Sequence, residues 1–145
     1  MNREKGFAVV RIVFGLVWAV DAGLKWLPEI RLHIIDVLTQ AQAGQPAFEQ
    51  VWINLWVHVA SIDPVVFGTC IAVLETVLAL SLITGIFSRW VLYFGVFFSF
   101  LVWSVPQGFG GPYAPGTTDI DSGLIYLLVF VLLILGEGWK KYRIL

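Results

Sequence analysis

The chain has 145 residues, of which 59% are hydrophobic and 13% are charged, and its formal net charge is -1. Soluble domains usually carry about 25% charged residues, so this composition, with a mean hydropathy of +0.86, excludes an ordinary soluble domain and predicts an integral membrane protein embedded in the lipid bilayer. A net charge near zero gives no reason to expect nucleic acid as a partner. Cys70 is the only cysteine, which excludes an intrachain disulfide and a cysteine-rich metal site.

Four apolar windows follow one another along the chain, at residues 6–27, 64–87, 90–105 and 120–137. A membrane-spanning helix needs about 20 apolar residues, so the last two windows must recruit flanking residues. The first window carries too many charges for a cleaved signal peptide, and we expect it to be retained. Because backbone groups in lipid must be satisfied internally, the sequence predicts an all-α, integral membrane four-helix bundle that forms a single membrane domain, residues 1–145.

Helix start and stop signals support these windows. Asp63 precedes Pro64, a typical N-cap followed by proline at the first helical position. Gly85 marks a turn between the second and third helices, and Pro106 ends the third. Thr118 and Asp121 resemble a capping box at the start of the fourth helix.

The segment between the first two predicted spanning helices, residues 29–62, is amphipathic rather than a plain loop. The residues Gly44, Gln45 and Pro46 break it into two parts, each with an apolar stripe at helical spacing. We expect two amphipathic helices that lie on the outer membrane surface or over the mouth of the bundle. The stripes consist of Ile30, Ile34, Val37 and Ala41 in the first part and of Phe48, Val51, Trp52, Leu55 and Val59 in the second.

Positive charges predict the orientation of the chain. Basic residues precede the first helix, occupy the turn at Arg89 and follow the fourth helix, whereas the opposite side is mainly acidic. The positive-inside rule therefore predicts a multi-pass protein of the plasma membrane with both termini in the cytoplasm. The amphipathic segment and the loop before the fourth helix then face outward.

Four ionisable residues lie inside the apolar windows: Arg11, Asp21 and Lys25 in the first, and Glu75 in the second. A charge at the centre of a helix in the bilayer costs at least ~2.5–3.5 kcal/mol, and such residues mark pairs, wet cavities or functional sites. At 100° per residue, Arg11 and Lys25 share one stripe of the first helix, with Asp21 at its edge. Small residues flank Glu75 on the second helix, which indicates a close helix–helix contact.

Two antiparallel helices allow the depths of these charges to be compared. With ~1.5 Å rise per residue, Glu75 lies ~18 Å from the inner end, Lys25 ~28 Å and Arg11 ~8 Å. We therefore expect Glu75 to pair either with Lys25, whose side chain would extend toward the inner end, or with Arg11, whose side chain would extend toward the outer end. Two interpretations stay open: a buried ion pair that fixes helix register, or a polar cavity that opens outward and uses Asp21, Lys25 and Glu75 to bind or protonate a small molecule.

Other candidate residues gather near the same mouth. Trp18 and Trp103 are candidates for lining the cavity, and Asp119 belongs to a polar cluster at that end. The two histidines, His33 and His58, lie in the amphipathic segment without a nearby cysteine, so we predict no metal site. No histidine lies in a spanning window, and we predict no haem.

Three runs resemble one known family of membrane proteins, the DoxX/DoxD family. The runs at residues 11–28 (RIVFGLVWAVDAGLKWLP) and 75–89 (ETVLALSLITGIFSR) resemble its first two helices, and the run at 108–120 (GFGGPYAPGTTDI) resembles the outer loop of its DoxD branch. That branch is similar to the large subunit of a thiosulfate:quinone oxidoreductase. The resemblance implies electron transfer from an outer sulfur compound to membrane quinone, with a separate small partner subunit.

The function predicted on this basis is a membrane subunit of a quinone-linked oxidoreductase with quinone as its substrate. Glu75, Asp21 and Lys25 are the predicted catalytic residues, and Arg11, Trp18, Trp103 and Asp119 the predicted substrate- or quinone-binding residues. A quinone needs an apolar slot with a few hydrogen-bonding groups, and an anionic donor needs a positive charge, for which Lys25 and Arg31 are candidates. The alternatives are a non-catalytic accessory or assembly subunit of a larger membrane oxidoreductase and, third, a small transporter.

Overall fold

A computed structural model of the chain describes residues 3–113, 115 and 120–142. All secondary structure in these ranges is helical, as the sequence predicts. The helices are α1 (Arg3–Lys25), α2 (Pro28–Arg31), α3 (Ile34–Gln42), α4 (Ala47–Ile62), α5 (Pro64–Thr84), α6 (Ser88–Ser104), a 3-10 turn (Gly108–Gly110) and α7 (Ser122–Leu135).

Helices α1 and α5 form the closest pair in the fold. Gly15 of α1 permits this approach, because a Cβ atom added there would lie only 2.9 Å from the Cβ of Leu82. Ala22 on α1 and Ala72 and Ala79 on α5 are buried, so small side chains line the contact on both helices. This is the packing that the small residues predicted.

Helices α6 and α7 form the second pair, and the two pairs share one core. Gly95 of α6 leaves room for the ring of Phe130 on α7. Trp18 is completely buried between the pairs. The buried apolar side chains of this core come from α1, α5, α6 and α7: Phe14, Trp18, Leu78, Ala79, Leu82, Leu92, Phe98, Phe130 and Leu133.

The ends of the long helices follow the capping residues, with some differences from the predicted bounds. The Asp63 carboxylate accepts a hydrogen bond from the Val66 amide at 3.0 Å, as expected of an N-cap. Helix α5 ends at Thr84 rather than at residue 87, because Gly85 and Phe87 both adopt left-handed backbone angles (φ 77° and 51°). Asp121 caps α7 at Ser122, two residues later than predicted, and Thr118 lies outside the described residues.

The amphipathic segment folds into α2, α3 and α4 rather than into two helices only. Gly44, with φ of 74°, lies in the turn that separates α3 from α4, as predicted. The resulting hairpin packs across the ends of α5 and α6 through a second apolar cluster of Leu38, Ala60 and Val105. The Trp52 Nε1 donates to the Ser104 hydroxyl at 3.1 Å, which fixes α4 at the end of α6.

Two described helices, Arg3–Lys25 and Pro64–Thr84, are long and apolar enough to cross a membrane by length and composition. At ~1.5 Å rise per residue they measure about 35 and 32 Å, close to the ~30 Å thickness of a hydrocarbon core. The α6 and α7 segments are apolar but shorter. The last described residues pack back on α1, where the buried Arg11 side chain donates to the carbonyls of Gly138 at 3.2 Å and Tyr142 at 2.7 Å.

Candidate functional site

The site is built around an ion pair between α1 and α5. The Lys25 Nζ lies 3.6 Å from the Glu75 Oε1, and a third of the lysine side chain is exposed whereas the glutamate side chain is 3% exposed. Lys25 is the last residue of α1, so its long side chain extends from the helix end toward the middle of α5. The lysine therefore connects a buried carboxylate to the rim of the fold.

The register of the two helices explains why Lys25, and not Arg11, meets Glu75. Gly15 faces Leu82 across the antiparallel contact, so Glu75 is level with residue 22 of α1. Arg11 lies eleven residues further along, about 17 Å away along the helix axis. Of the two partners that the sequence allowed, the structure pairs Glu75 with the lysine and directs Arg11 to the carbonyls near the C-terminal end.

Asp21 forms no ion pair with Lys25 within 4 Å among the described residues, although the i,i+4 spacing permits one; the lysine pairs with Glu75 instead. The Asp21 carboxylate acts electrostatically on Glu75 of α5 and on Tyr126 of α7. Asp21 is therefore close enough to the ion pair for its charge to affect Glu75. Tyr126 is a site residue that the sequence analysis did not select, and its signal was only a shared helical stripe with other polar residues of the fourth helix.

A cavity of about 380 Å³ opens beside the ion pair. Its floor consists of α5 and α6, and its roof consists of α2, α3 and Trp56 of α4; we call it the roofed cavity. Apart from Lys25, Glu75, Trp56 and Gln107, every lining residue is apolar: Ile30, Ile34, Val37, Leu38, Phe67, Ile71, Phe98, Leu101, Val102, Val105 and Pro106. The volume falls at the lower end of the ~300–1,000 Å³ typical of small-molecule sites.

The polar groups of the roofed cavity differ in how far they are satisfied. Gln107 uses both ends of its amide, donating to the Ser122 hydroxyl at 2.9 Å and accepting from the Gly123 amide at 2.8 Å. In contrast, the Glu75 Oε2 and the Trp56 Nε1 are buried without a hydrogen-bond partner among the described residues. Leaving a buried polar atom unpaired costs ~1–3 kcal/mol, more for a charged group, so these two atoms indicate a place for a bound polar group.

The two tryptophans predicted to line the cavity lie elsewhere. Trp18 packs in the common core against the rings of Phe98, Tyr126 and Phe130, with centroid distances of 5.4–6.0 Å. Trp103 donates its Nε1 to the Ile120 carbonyl at 2.9 Å. Neither side chain lines the roofed cavity. Asp119, the remaining candidate of that mouth, lies outside the described residues.

The roof consists of residues from the amphipathic segment, which the sequence predicts to lie either on the outer membrane surface or over the mouth of the bundle. A tryptophan in an amphipathic segment is typical of a membrane interface, yet Trp56 faces the cavity together with Ile34 and Leu38. These lining residues can be identified only from the tertiary structure, because the roof depends on how α3 and α4 fold over α5 and α6. Arg31, the second candidate cation, is held outside the cavity, where its Nη1 donates to Thr69 at 3.3 Å.

The described residues contain no group of three or more His, Cys, Asp or Glu side chains placed to hold a metal ion. His33 and His58 are exposed, and the Nδ1 atom of each lies within hydrogen-bonding distance of a backbone carbonyl four residues earlier, at 3.1 and 2.9 Å.

No family model, curated protein or solved structure matches this chain. The resemblance to the DoxX/DoxD family therefore remains a prediction from the sequence.

Proposed function

We propose that the chain is a membrane subunit of a quinone-linked oxidoreductase and that the roofed cavity binds the quinone ring. The observation that supports this proposal is the charged pair at the edge of a mainly apolar cavity, with one glutamate oxygen that has no hydrogen-bond partner among the described residues. A quinone is a flat apolar ring with two oxygens that accept hydrogen bonds, and a quinol donates from the same two positions. Lys25 supplies a donor for the first form and Glu75 an acceptor for the second.

The proposal includes a four-helix bundle that spans the membrane. Helices α1 and α5 cross the hydrocarbon core, and α6 and α7 complete the bundle with their flanking residues. Support comes from large apolar side chains that stay exposed on the outside of both long helices, such as Val13, Val20 and Val77. The basic residues at the start of α1, in the first turn of α6 and after α7 support a cytoplasmic location for those ends. The roofed cavity then lies in the outer half of the bilayer.

The redox step that we propose transfers two electrons from an anionic sulfur compound to the quinone. Two donor anions each lose one electron and join through a new S–S bond, while the quinone takes up the two electrons and two protons and becomes a quinol. Lys25 attracts the anion and donates a hydrogen bond to the quinone carbonyl. Glu75 and Asp21, which act on each other electrostatically, carry the protons. The resemblance to the thiosulfate:quinone oxidoreductase large subunit supports thiosulfate as the donor.

The proposal is tested by thiosulfate-dependent reduction of a short-chain quinone, measured with protein purified from membranes together with its co-purifying subunits. We expect Lys25→Ala and Glu75→Gln each to lower the rate at least about tenfold, equivalent to ~1.4 kcal/mol of transition-state stabilisation. Glu4→Gln is the matched control, because Glu4 pairs with Lys141 at 3.5 Å in a more exposed location. Equal rates in all three variants would contradict the assignment of the site.

A second candidate function is that of a non-catalytic accessory subunit in a larger membrane oxidoreductase. The observation that favours it is a row of exposed aromatic side chains on α6, at Trp90, Tyr93, Phe94 and Phe97, which offers a large surface to a neighbouring subunit. Mass spectrometry of the natively purified protein distinguishes the two functions. A co-purifying complex whose quinone reduction survives the removal of this chain favours the accessory role, whereas a stable monomer contradicts it.

A further inference from the structure

Helix α4 carries three distinct faces along its 16 residues. One face is buried against the rest of the fold and includes Ile53 and Ala60. A second face is exposed and apolar; its five members are 41–85% exposed and fall within an arc of about 80° at 3.6 residues per turn. We call this face the α4 apolar stripe, and it consists of Phe48, Val51, Leu55, Val59 and Ile62.

The third face is exposed and polar, and it borders the α4 apolar stripe directly. It covers an adjoining arc of about 80° and carries no formal charge when its histidine is neutral. We call it the α4 polar row, and it consists of Gln50, Asn54, His58 and Ser61, all exposed. A helix with neighbouring apolar and polar exposed faces suits a boundary between hydrocarbon and water, with its axis in the plane of that boundary.

The position of α4 in the fold sets the level of that boundary. Trp52 of α4 donates a hydrogen bond to the hydroxyl of Ser104, the last residue of α6. The last residue of α4, Ile62, is separated only by Asp63 from the start of α5, where Val65 and Val66 are exposed apolar residues. Helix α4 is therefore fixed where two of the proposed spanning helices end, which is the level of the lipid headgroups.

We infer that the α4 apolar stripe inserts among the acyl chains of phospholipids at the outer edge of the bilayer, while the α4 polar row contacts the headgroups and water. This inference rests on the proposed membrane-spanning bundle. It adds a function to the helix that supplies Trp56 to the cavity roof: lipid on one side of α4 holds the roof against the floor on the other. The bound partner is the bilayer itself rather than a second protein.

The test uses the full chain in phosphatidylcholine–phosphatidylglycerol vesicles, with Cys70→Ala as the background because Cys70 is the only cysteine. Single substitutions to cysteine carry a spin label: Val51→Cys, Leu55→Cys and Val59→Cys on the stripe, and Gln50→Cys, Asn54→Cys and Ser61→Cys on the row. Collision rates with oxygen, which concentrates in lipid, and with a water-soluble nickel chelate are measured for each label by electron paramagnetic resonance.

We expect the ratio of oxygen to nickel collisions to be several-fold higher on the stripe than on the row, alternating with helical period. Stripe labels that collide preferentially with nickel would overturn the inference, because α4 would then lie in water. Stripe labels shielded from both reagents would also overturn it, because a protein would then cover the stripe. A Val20→Cys label on α1 separates this result from failure of the spanning bundle, since it reports oxygen contact only if α1 lies in lipid.

Discussion

Removing the charge of Lys25 should destabilise the fold more than removing the charge of Glu75, and removing both should restore part of the loss. At 3.6 Å, two unit charges attract by about 5 kcal/mol at an effective dielectric constant near 20. The net attraction between the two charges is smaller, because a third of the lysine side chain is exposed and water screens its charge. Lys25→Met leaves a buried carboxylate without its cation, for which we expect a loss of about 3 kcal/mol.

The expected stability losses of Glu75→Gln and of the double variant, which complete a double-mutant cycle with Lys25→Met, follow from the same geometry. Glu75→Gln leaves a lysine that water can reach, so we expect a loss of about 1 kcal/mol. The double variant has no buried charge at the site and should lose about 2 kcal/mol, less than Lys25→Met alone, which gives a coupling free energy of about 2 kcal/mol.

The assay for this cycle is equilibrium unfolding in mixed detergent micelles titrated with sodium dodecyl sulfate and followed by tryptophan fluorescence. The more exposed pair of Glu4 and Lys141, at 3.5 Å, provides the control cycle, and its coupling should be below about 1 kcal/mol. A Lys25–Glu75 coupling no larger than that of the control pair, or a double variant less stable than Lys25→Met, would contradict a buried ion pair at this site.

Three further predictions concern the surrounding fold. Gly15→Ala should cost about 1–3 kcal/mol of unfolding free energy because its Cβ would overpack the α1–α5 contact, whereas Gly23→Ala, with open space around it, should be neutral or stabilising in the same titration. Arg11→Met removes the donors that hold the C-terminal segment, so trypsin cleavage after α7, followed by mass spectrometry, should accelerate several-fold; unchanged cleavage contradicts this. Trp52→Phe should lower stability by about 1 kcal/mol through loss of its hydrogen bond to α6, while Trp90→Phe, at an exposed position, should leave the unfolding midpoint unchanged.

The helices could be located from the sequence because long apolar runs and capping residues act locally. Asp63 and Pro64 mark the start of α5 as the sequence predicts, whereas Asp121 is the N-cap of α7 itself and that helix starts two residues later than predicted. The ends were harder to place: Phe87 gives no local signal for its left-handed backbone conformation, and α5 stops three residues early. The pairing of Lys25 with Glu75 was predictable in part, because small residues set the contact and the antiparallel direction sets the depth.

The remainder of the site depends on tertiary packing that residue patterns do not encode. The partners of Arg11 lie beyond α7, so they follow only from where the end of the chain packs. The roof over the cavity arises from the hairpin of α3 and α4, and Trp56 looks like any interfacial tryptophan until that hairpin is placed. Trp18 lies on the same stripe as Lys25, yet it fills the core because aromatic rings from α6 and α7 surround it.

Photoaffinity labelling with an azido-quinone in vesicles shows whether the roofed cavity binds quinone, because it reports where the ring binds without requiring turnover. The proposed function predicts crosslinks to residues of the roofed cavity, such as Ile71 and Val102, that unmodified quinone competes away and that Glu75→Gln strongly reduces. Crosslinks spread over the exposed valines of α1 and α5, unaffected by competitor or by the substitution, would contradict it.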